Sequence, residues 1–343
     1  MEIIKGTVLL LLVLSLFTLF SYKAPNGMKA MGALANAACA AFLVEAFQKY
    51  IGGDLVGISF LGEVGEAAGS MSGVAAAALV ALALGVSPVY ALMLGVSCAG
   101  LGLLPGFFAG YIVAFLVKQI EKRIPAGLDL IVTILLAAPL VRLIGVSINP
   151  VVDATLLNIG GIITETTNSS PIIMGIVLGG VITVVATAPL SSMALTAMLG
   201  LTGLPMAIGA LAVMGSSFMN YVLFDRMKFG DRRTTIAVAI EPLTQADIIS
   251  ANPIPIYVTN FIGGAASGVI ISMFGLINNA SGTATPIAGL AVMYGFNDPV
   301  KVTVCALLCA LISAIVGFLG SLFFKNYKIK TTEDIRESEE LAA

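Results

Sequence analysis

The chain has 343 residues, 58% hydrophobic and 10% charged, with a mean hydropathy of +1.04. That composition excludes a soluble domain, whose surface needs far more charge, and a net charge of −2 gives no basic patch for a nucleic-acid partner. Histidine is absent, which excludes an imidazole base, a histidine metal ligand and a phosphohistidine on this chain.

Residues 7–22 form an apolar run of spanning length. A signal peptide is the rival reading, but Lys23, Pro25, Asn26, Gly27 and Lys29 make a poor cleavage site. Residues 30–51 read as a helix whose Gly, Ala and Cys permit close contact, with Glu45 reaching an interface. Residues 52–71, with Asp54, Glu63 and Glu66 among glycines, read as an acidic loop or re-entrant segment. Residues 72–106 give two apolar runs split at Ser87 and Pro88. The run from Phe107 to Val117 ends in the basic stretch 118–123, closed by Pro125.

Residues 129–147 are a further span, and Arg142 lies inside it. Arg142 snorkels, pairs with Asp129 or Asp153, or lines a substrate path. Residues 148–170 read as a loop or short helix at the membrane face. Residues 171–188 span, ending in a break at Thr187, Ala188 and Pro189; 190–204 suit a half-helix, and 205–224 span again before a second basic cluster at 225–233. Residues 256–276 span, 278–286 are a polar break, 287–296 are too short to cross alone, and 302–324 are the last span. Residues 331–343 read as a charged, solvated tail. Basic loops mark the cytoplasmic side, so 118–123, 225–233 and the C-terminus are expected there. The sum is an all-α polytopic membrane protein: roughly ten transmembrane helices with re-entrant or broken hairpins, in a single membrane domain over 1–330.

The four cysteines, Cys39, Cys98, Cys305 and Cys309, lie in apolar runs and read as packing residues. One internal echo exists. Pro171 precedes Gly179 and Gly180 at the spacing by which Pro255 precedes Gly263 and Gly264, and a Thr-Ala…Pro break follows each copy, at 187–189 and 283–286. Interrupted segments at matching positions of a repeat mark transporter binding sites.

The densest chemistry lies in residues 236–264. Glu241 and Pro242 are followed by Thr244, Gln245, Asp247, Ser250 and Asn252, then by Pro253 and Pro255, which suggest a broken helix. A carboxylate at the centre of a span costs about 3 kcal/mol on an insertion scale, so it marks a functional site by default. Proline biases Glu241 away from helical backbone, and its carboxylate suits a hydroxylated solute as hydrogen-bond acceptor. Thr244, Gln245 and Asn252 add donors and acceptors, with Asp247 toward the aqueous mouth. The competing reading is a structural carboxylate bonded to Arg232, Arg233 or backbone amides. Pro189, Ser191 and Ser192 form a second candidate set, and Asn278, Asn279, Ser281, Thr283 and Thr285 a third. None of these is a catalytic set, a phosphate-binding loop or a metal-ligand cluster. No cofactor is implied, and the energy for any transport must come from an ion gradient or a partner.

Three stretches carry a family resemblance: LLPGFFAGYIVAFLVKQIEKRIP at 103–125, NSSPIIMGIVLGGVITVVATAPLSS at 168–192, and IEPLTQADIISANPIPIYVTNFIGGAASGVIISMFG at 240–275. Together they resemble the membrane subunit (enzyme IIC) of the bacterial phosphotransferase system, of the fructose type, and the related perfringolysin-regulator-like family. The resemblance covers about residues 70–325, and the third stretch is the most specific. It implies that Glu241 matches the family's substrate-binding glutamate, that Pro189 matches the proline of the first break, and that Asn252 and Pro253 stand where the family has Asp-Pro. Val185 stands in place of an acidic residue, Ser191 and Ser192 replace Asn-Lys, and SGTATP replaces the family's His-Gly-Gly. The implied function is that of a permease subunit in the bacterial cytoplasmic (inner) membrane, a homodimer that translocates a small polar, sugar-like solute. A phosphocarrier subunit would act in trans, because no phosphoacceptor domain is fused to this sequence. Two alternatives remain open at this point: a non-transporting membrane regulator on the same fold, and ion-coupled transport of a non-sugar solute.

Overall fold

A computed structural model describes residues 2–188 and 191–331, and among them helix is the only regular structure apart from one isolated backbone bridge. The chain divides into two compact units.

The first unit is Leu10–Gly161 with Ala197–Gly200. It holds α1 (Glu2–Lys23, from Leu10 onward), α2 (Gly27–Ala38), α3 (Ser59–Ser70), α4 (Ser72–Ala83), α5 (Pro88–Ser97), α6 (Leu103–Arg123), α7 (Leu128–Val132), α8 (Ala138–Val152) and the start of α9 (Asn158–Ser169). Asn26 turns the chain in the left-handed region, φ 55°, and a Cβ at Gly27 would run into the Phe20 and Ser21 carbonyls. Two π-helical stretches, Cys39–Leu43 and Ala46–Leu55, carry α2 on to Leu55.

Residues 52–71 are helical apart from a turn at 56–58, which corrects the loop expected there but leaves the alternative of a re-entrant segment standing. Their glycines serve close helix contact, since Gly53 faces Gly62 and Gly65 lies against the Lys49 backbone. Glu45 faces Lys49 at 3.9 Å. α3 and α4 meet at a 53° bend. α4 packs on α6 with backbones touching at Gly73 against Gly106 and at Ala77 against Gly110. The turn after α4 is pinned to the end of α6: Lys118 Nζ donates to Leu84 O (2.6 Å), and Glu121 Oε1 accepts from the Ser87 N–H (3.1 Å).

A second correction concerns 148–170. Helix runs on from Leu128 to Ser169 through Pro150 and two π-helical stretches. The polar side chains that suggested a loop bond to carbonyls one turn back, Thr155 to Val151 and Asn158 to Ala154, so polarity here does not free the backbone. Among the described side chains Arg142 makes no ion pair with Asp129, and the Asp153 side chain lies outside the described residues. Arg142 donates to the Ala99 and Ser97 carbonyls, capping the end of α5, while Asp129 accepts from Tyr90 Oη at 2.7 Å.

The second unit is Met1–Leu9, Ile162–Thr196 and Leu201–Ala343. It holds the end of α9, then α10 (Pro171–Thr187), α11 (Ser192–Met198), α12 (Leu204–Met227), α13 (Arg232–Ile240), α14 (Ala246–Ala251), α15 (Pro253–Phe274), α16 (Pro286–Phe296) and α17 (Pro299–Phe323). α12 is its axis: every residue from Pro205 to Ser217 is buried, as expected of a helix that is apolar all round. α10 and α15 cross antiparallel, with Gly175 facing Gly268, Gly179 facing Gly264, and Thr183 Oγ1 donating to Asn260 O at 2.8 Å. A Cβ on any of these glycines would meet the opposite helix's backbone. α17 runs parallel to α12, with Gly215 against Ser313, Gly317 against Met219, and Arg226 against Phe318 and Ser321.

The sequence echo returns in the order of elements but not in their directions, since α10 and α12 both run antiparallel to α15 while α15 and α17 run antiparallel to each other. Each copy is a helix opening on proline, a break, a short helix and a long helix: α10, α11 and α12, then α15, α16 and α17. Like elements pack together, α10 on α15 and α12 on α17. The helix is interrupted at Asn252, between α14 and α15, directly before Pro253 and Pro255. They open α15, where a missing N–H costs nothing.

Among the described residues seven helices are long and apolar enough to cross a membrane, or eight if the bent α3–α4 pair is one broken span and not a re-entrant loop. The expected ten counted α5 and α10 as full spans, but with α16 they are shorter apolar helices of 10 to 17 residues. The tail from residue 332 onward lies outside the described residues.

Candidate functional site

Three irregular segments of the second unit converge. The first follows α10. Ser191 adopts the left-handed region at φ 52°, and its Oγ accepts from the Ala194 N–H (3.3 Å), which starts α11. Pro189 lies outside the described residues.

The second segment runs from Gly275, which caps α15 at φ 63°, to Thr285, which precedes α16. Gly203 and Asn278 exchange two backbone hydrogen bonds, at 2.8 and 3.0 Å, and so tie this segment to the start of α12. The Asn278 side chain shapes the turn beyond, donating to Thr283 Oγ1 and accepting from the Ala280 N–H. Two further bonds join the first two segments: Ser192 Oγ donates to Ala284 O (2.6 Å), and Ser281 Oγ donates to Thr196 O (3.0 Å).

The third segment comes from the other end of α12. Asp231 caps α13, its Oδ1 accepting from the Thr234 N–H at 2.8 Å, and that bond holds its pKa below the usual carboxylate value. α13 returns alongside α12 and stops at Glu241, where the following proline forces extended backbone, φ −148° and ψ 101°. There Thr285 Oγ1 faces Glu241 Oε2 at 3.4 Å. Ala284 packs beside Gly209 of α12, so the meeting point lies within the length of that helix and not beyond its end. Arg232 and Arg233 are exposed at the far end of α13, about 12–14 Å of helix away from Glu241.

The arrangement brings a half-buried carboxylate, the hydroxyl of Thr285 and interrupted backbone to one place inside an apolar bundle. An ionised carboxylate only accepts hydrogen bonds, from as many as four directions. It therefore suits a ligand rich in hydroxyl donors.

The other expected site residues divide. Thr244 is exposed and donates to Glu241 O (2.8 Å), while Gln245 Nε2 donates to Thr244 Oγ1 (3.3 Å), so both shape the turn that follows Glu241. Asp247 is exposed. Asn252 is fully buried and engaged elsewhere: its Nδ2 donates to Lys330 O and Ile248 O, and its Oδ1 accepts from the Lys330 N–H. Asn252 thus anchors the segment after α17. Thr285 stood in the third candidate set, but nothing in the sequence paired it with Glu241. Gly203 and Thr196 were not anticipated, and Ala284 only as part of the 278–286 break, because all three take part through backbone groups that carry no side-chain signal.

A family model described as "Phosphotransferase system, EIIC" matches residues 28–336. No curated protein matches the chain.

Proposed function

The chain belongs to the phosphotransferase-system EIIC family, and on that premise we propose that its three converging segments hold the transported solute. As an EIIC protein it is a multi-pass membrane permease component of the bacterial inner membrane, serving sugar transport with the other components of that system.

Glu241 is the recognition group. Its carboxylate accepts hydrogen bonds from sugar hydroxyls, and Thr285 orients it and offers a second hydroxyl. Ser191 and Ser192 hold the first break in place beneath the ligand, and Thr244 and Gln245 fix the backbone that presents Glu241. Phosphoryl transfer to the sugar falls to another component of the system: this chain has no histidine, and its cysteines lie in apolar runs. The basic clusters at 118–123 and 225–233, with Lys325, Lys328 and Lys330, support a cytoplasmic C-terminus. A fructose-type substrate and a homodimer are further parts of the proposal that rest on the resemblance alone. The observation that carries the reading is the Glu241–Thr285 approach between a pre-proline break and a second break. Binding of a sugar panel to the wild type and to Glu241→Gln tests it: the bound sugar should be lost with the carboxylate.

One observation favours a non-transporting sensor on the same fold. The hydroxyls of Ser192 and Ser281 are already engaged by the facing segment. Uptake of labelled sugars by sealed vesicles separates the two, because a sensor binds without flux.

A further inference from the structure

Away from the candidate site, the outer face of the second unit carries an apolar groove between α15 and α17. Val258, Thr259 and Ile262 form one wall, and Val316, Leu319 and Phe323 the other, enclosing about 640 Å³. It exists because Gly320 lies against Thr259, leaving no side chain to fill the space above. Phe323 is 81% exposed at its rim.

The groove ends at Phe324, and the chain beyond it is basic. Lys325, Lys328 and Lys330 are exposed, and no ion pair is recorded for them among the described residues. This segment does not hang free. Two hydrogen bonds between Asn252 and the Lys330 backbone, with Ile329 against the cluster of Phe224, Ile249 and Ile256, lead it from the end of α17 to the start of α15. The two helices run antiparallel, as Gly320 against Thr259 and Lys330 beside Asn252 require. The basic segment therefore passes between the two helix ends that bound the groove. The N-terminus of α15, a 22-residue helix, adds its positive dipole end at the same place.

We infer that this groove seats an acyl chain of an anionic phospholipid, with the headgroup held by Lys325 and Lys328. An apolar slot opening on fixed cations matches the two ends of such a lipid. A zwitterionic lipid would fill the slot and gain nothing at its mouth. Each lysine near the surface of an anionic membrane contributes about fivefold in binding.

The chain has no tryptophan, so Phe323→Trp makes a single reporter at the rim. In mixed-lipid vesicles, phospholipid brominated on its acyl chains should quench this tryptophan with a relative binding constant about fivefold or more higher for phosphatidylglycerol than for phosphatidylcholine. Leu311→Trp, on the same helix and 59% exposed, should report no such preference. Adding Lys325→Gln and Lys328→Gln should abolish the preference at 323, and salt should weaken it. Should Phe323→Trp fail to fold, Leu319→Trp in the wall reports instead. Equal quenching by both lipids at 323, or the same preference at 311, would overturn the inference in favour of bulk lipid. No quenching at 323 by either lipid would overturn it in favour of a protein occupant such as a second copy of the chain.

Discussion

Thr285 and Glu241, 44 residues apart, meet where two interrupted segments enter the second unit from opposite ends of α12, with Thr285 Oγ1 3.4 Å from Glu241 Oε2. The contact is long for a hydrogen bond between a hydroxyl and a carboxylate. Thr285→Val keeps the shape and removes the hydroxyl. Sugar affinity should fall less than in Glu241→Ala, by roughly 3- to 10-fold, the worth of one hydrogen bond. Equilibrium binding to purified protein measures it.

The bond from Ser192 to the Ala284 carbonyl should matter to stability. Both residues are buried, so Ser192→Ala leaves a carbonyl unpaired at a cost of about 1–3 kcal/mol. Thermal unfolding in detergent should show a lowered midpoint.

The α10–α15 crossing allows no side chain at its glycines. Gly264→Leu should reduce the yield of folded, monodisperse protein sharply, since overpacking costs about 1–3 kcal/mol even where neighbours can shift, and here the neighbour is the Gly179 carbonyl. Gly161→Ala, where a Cβ meets nothing, should be harmless. Size-exclusion profiles of the two variants compare them directly.

How much of this was legible beforehand depends on the range of the interaction. α12 and α17 could be read from apolar length alone, and the breaks at 187–192 and 278–286 from their prolines and polar residues. Residues 148–170 misled because Thr155 and Asn158 satisfy themselves within the helix, which leaves the same composition as a loop. Asn252 misled for a different reason. A buried amide among apolar residues must bond to something, but its partner, Lys330, lies 78 residues away in a stretch that reads as solvated. Glu241 drew notice as a carboxylate before proline in apolar sequence; that Thr285 would face it follows only from the packing of α13 beside α12 and α16.

Asn252→Ala should release the segment that it anchors. The Lys330 N–H and C=O lose their partners together, and trypsin should cut after Lys325 and Lys328 faster than in the wild type. Unchanged digestion would mean that Ile329 alone holds the segment.

Asp231 caps the helix that delivers Glu241. Its pKa is lowered from 3.8 by the Thr234 bonds, so its contribution is complete above 3.8 and is lost as pH falls through the depressed value. Asp231→Ala should therefore lower thermal stability by the same amount at every pH from 5 to 8, and the gap from wild type should close only in stronger acid.

The most direct measurement is the affinity of a bound sugar for the wild type and for Glu241→Gln, a change that keeps the side chain's size and removes its charge. A sugar that binds the wild type should bind the variant at least about tenfold more weakly, because a charged acceptor replaced by an amide loses about 1.5–3 kcal/mol. Equal affinity for the two proteins would contradict the account and remove Glu241 from the site.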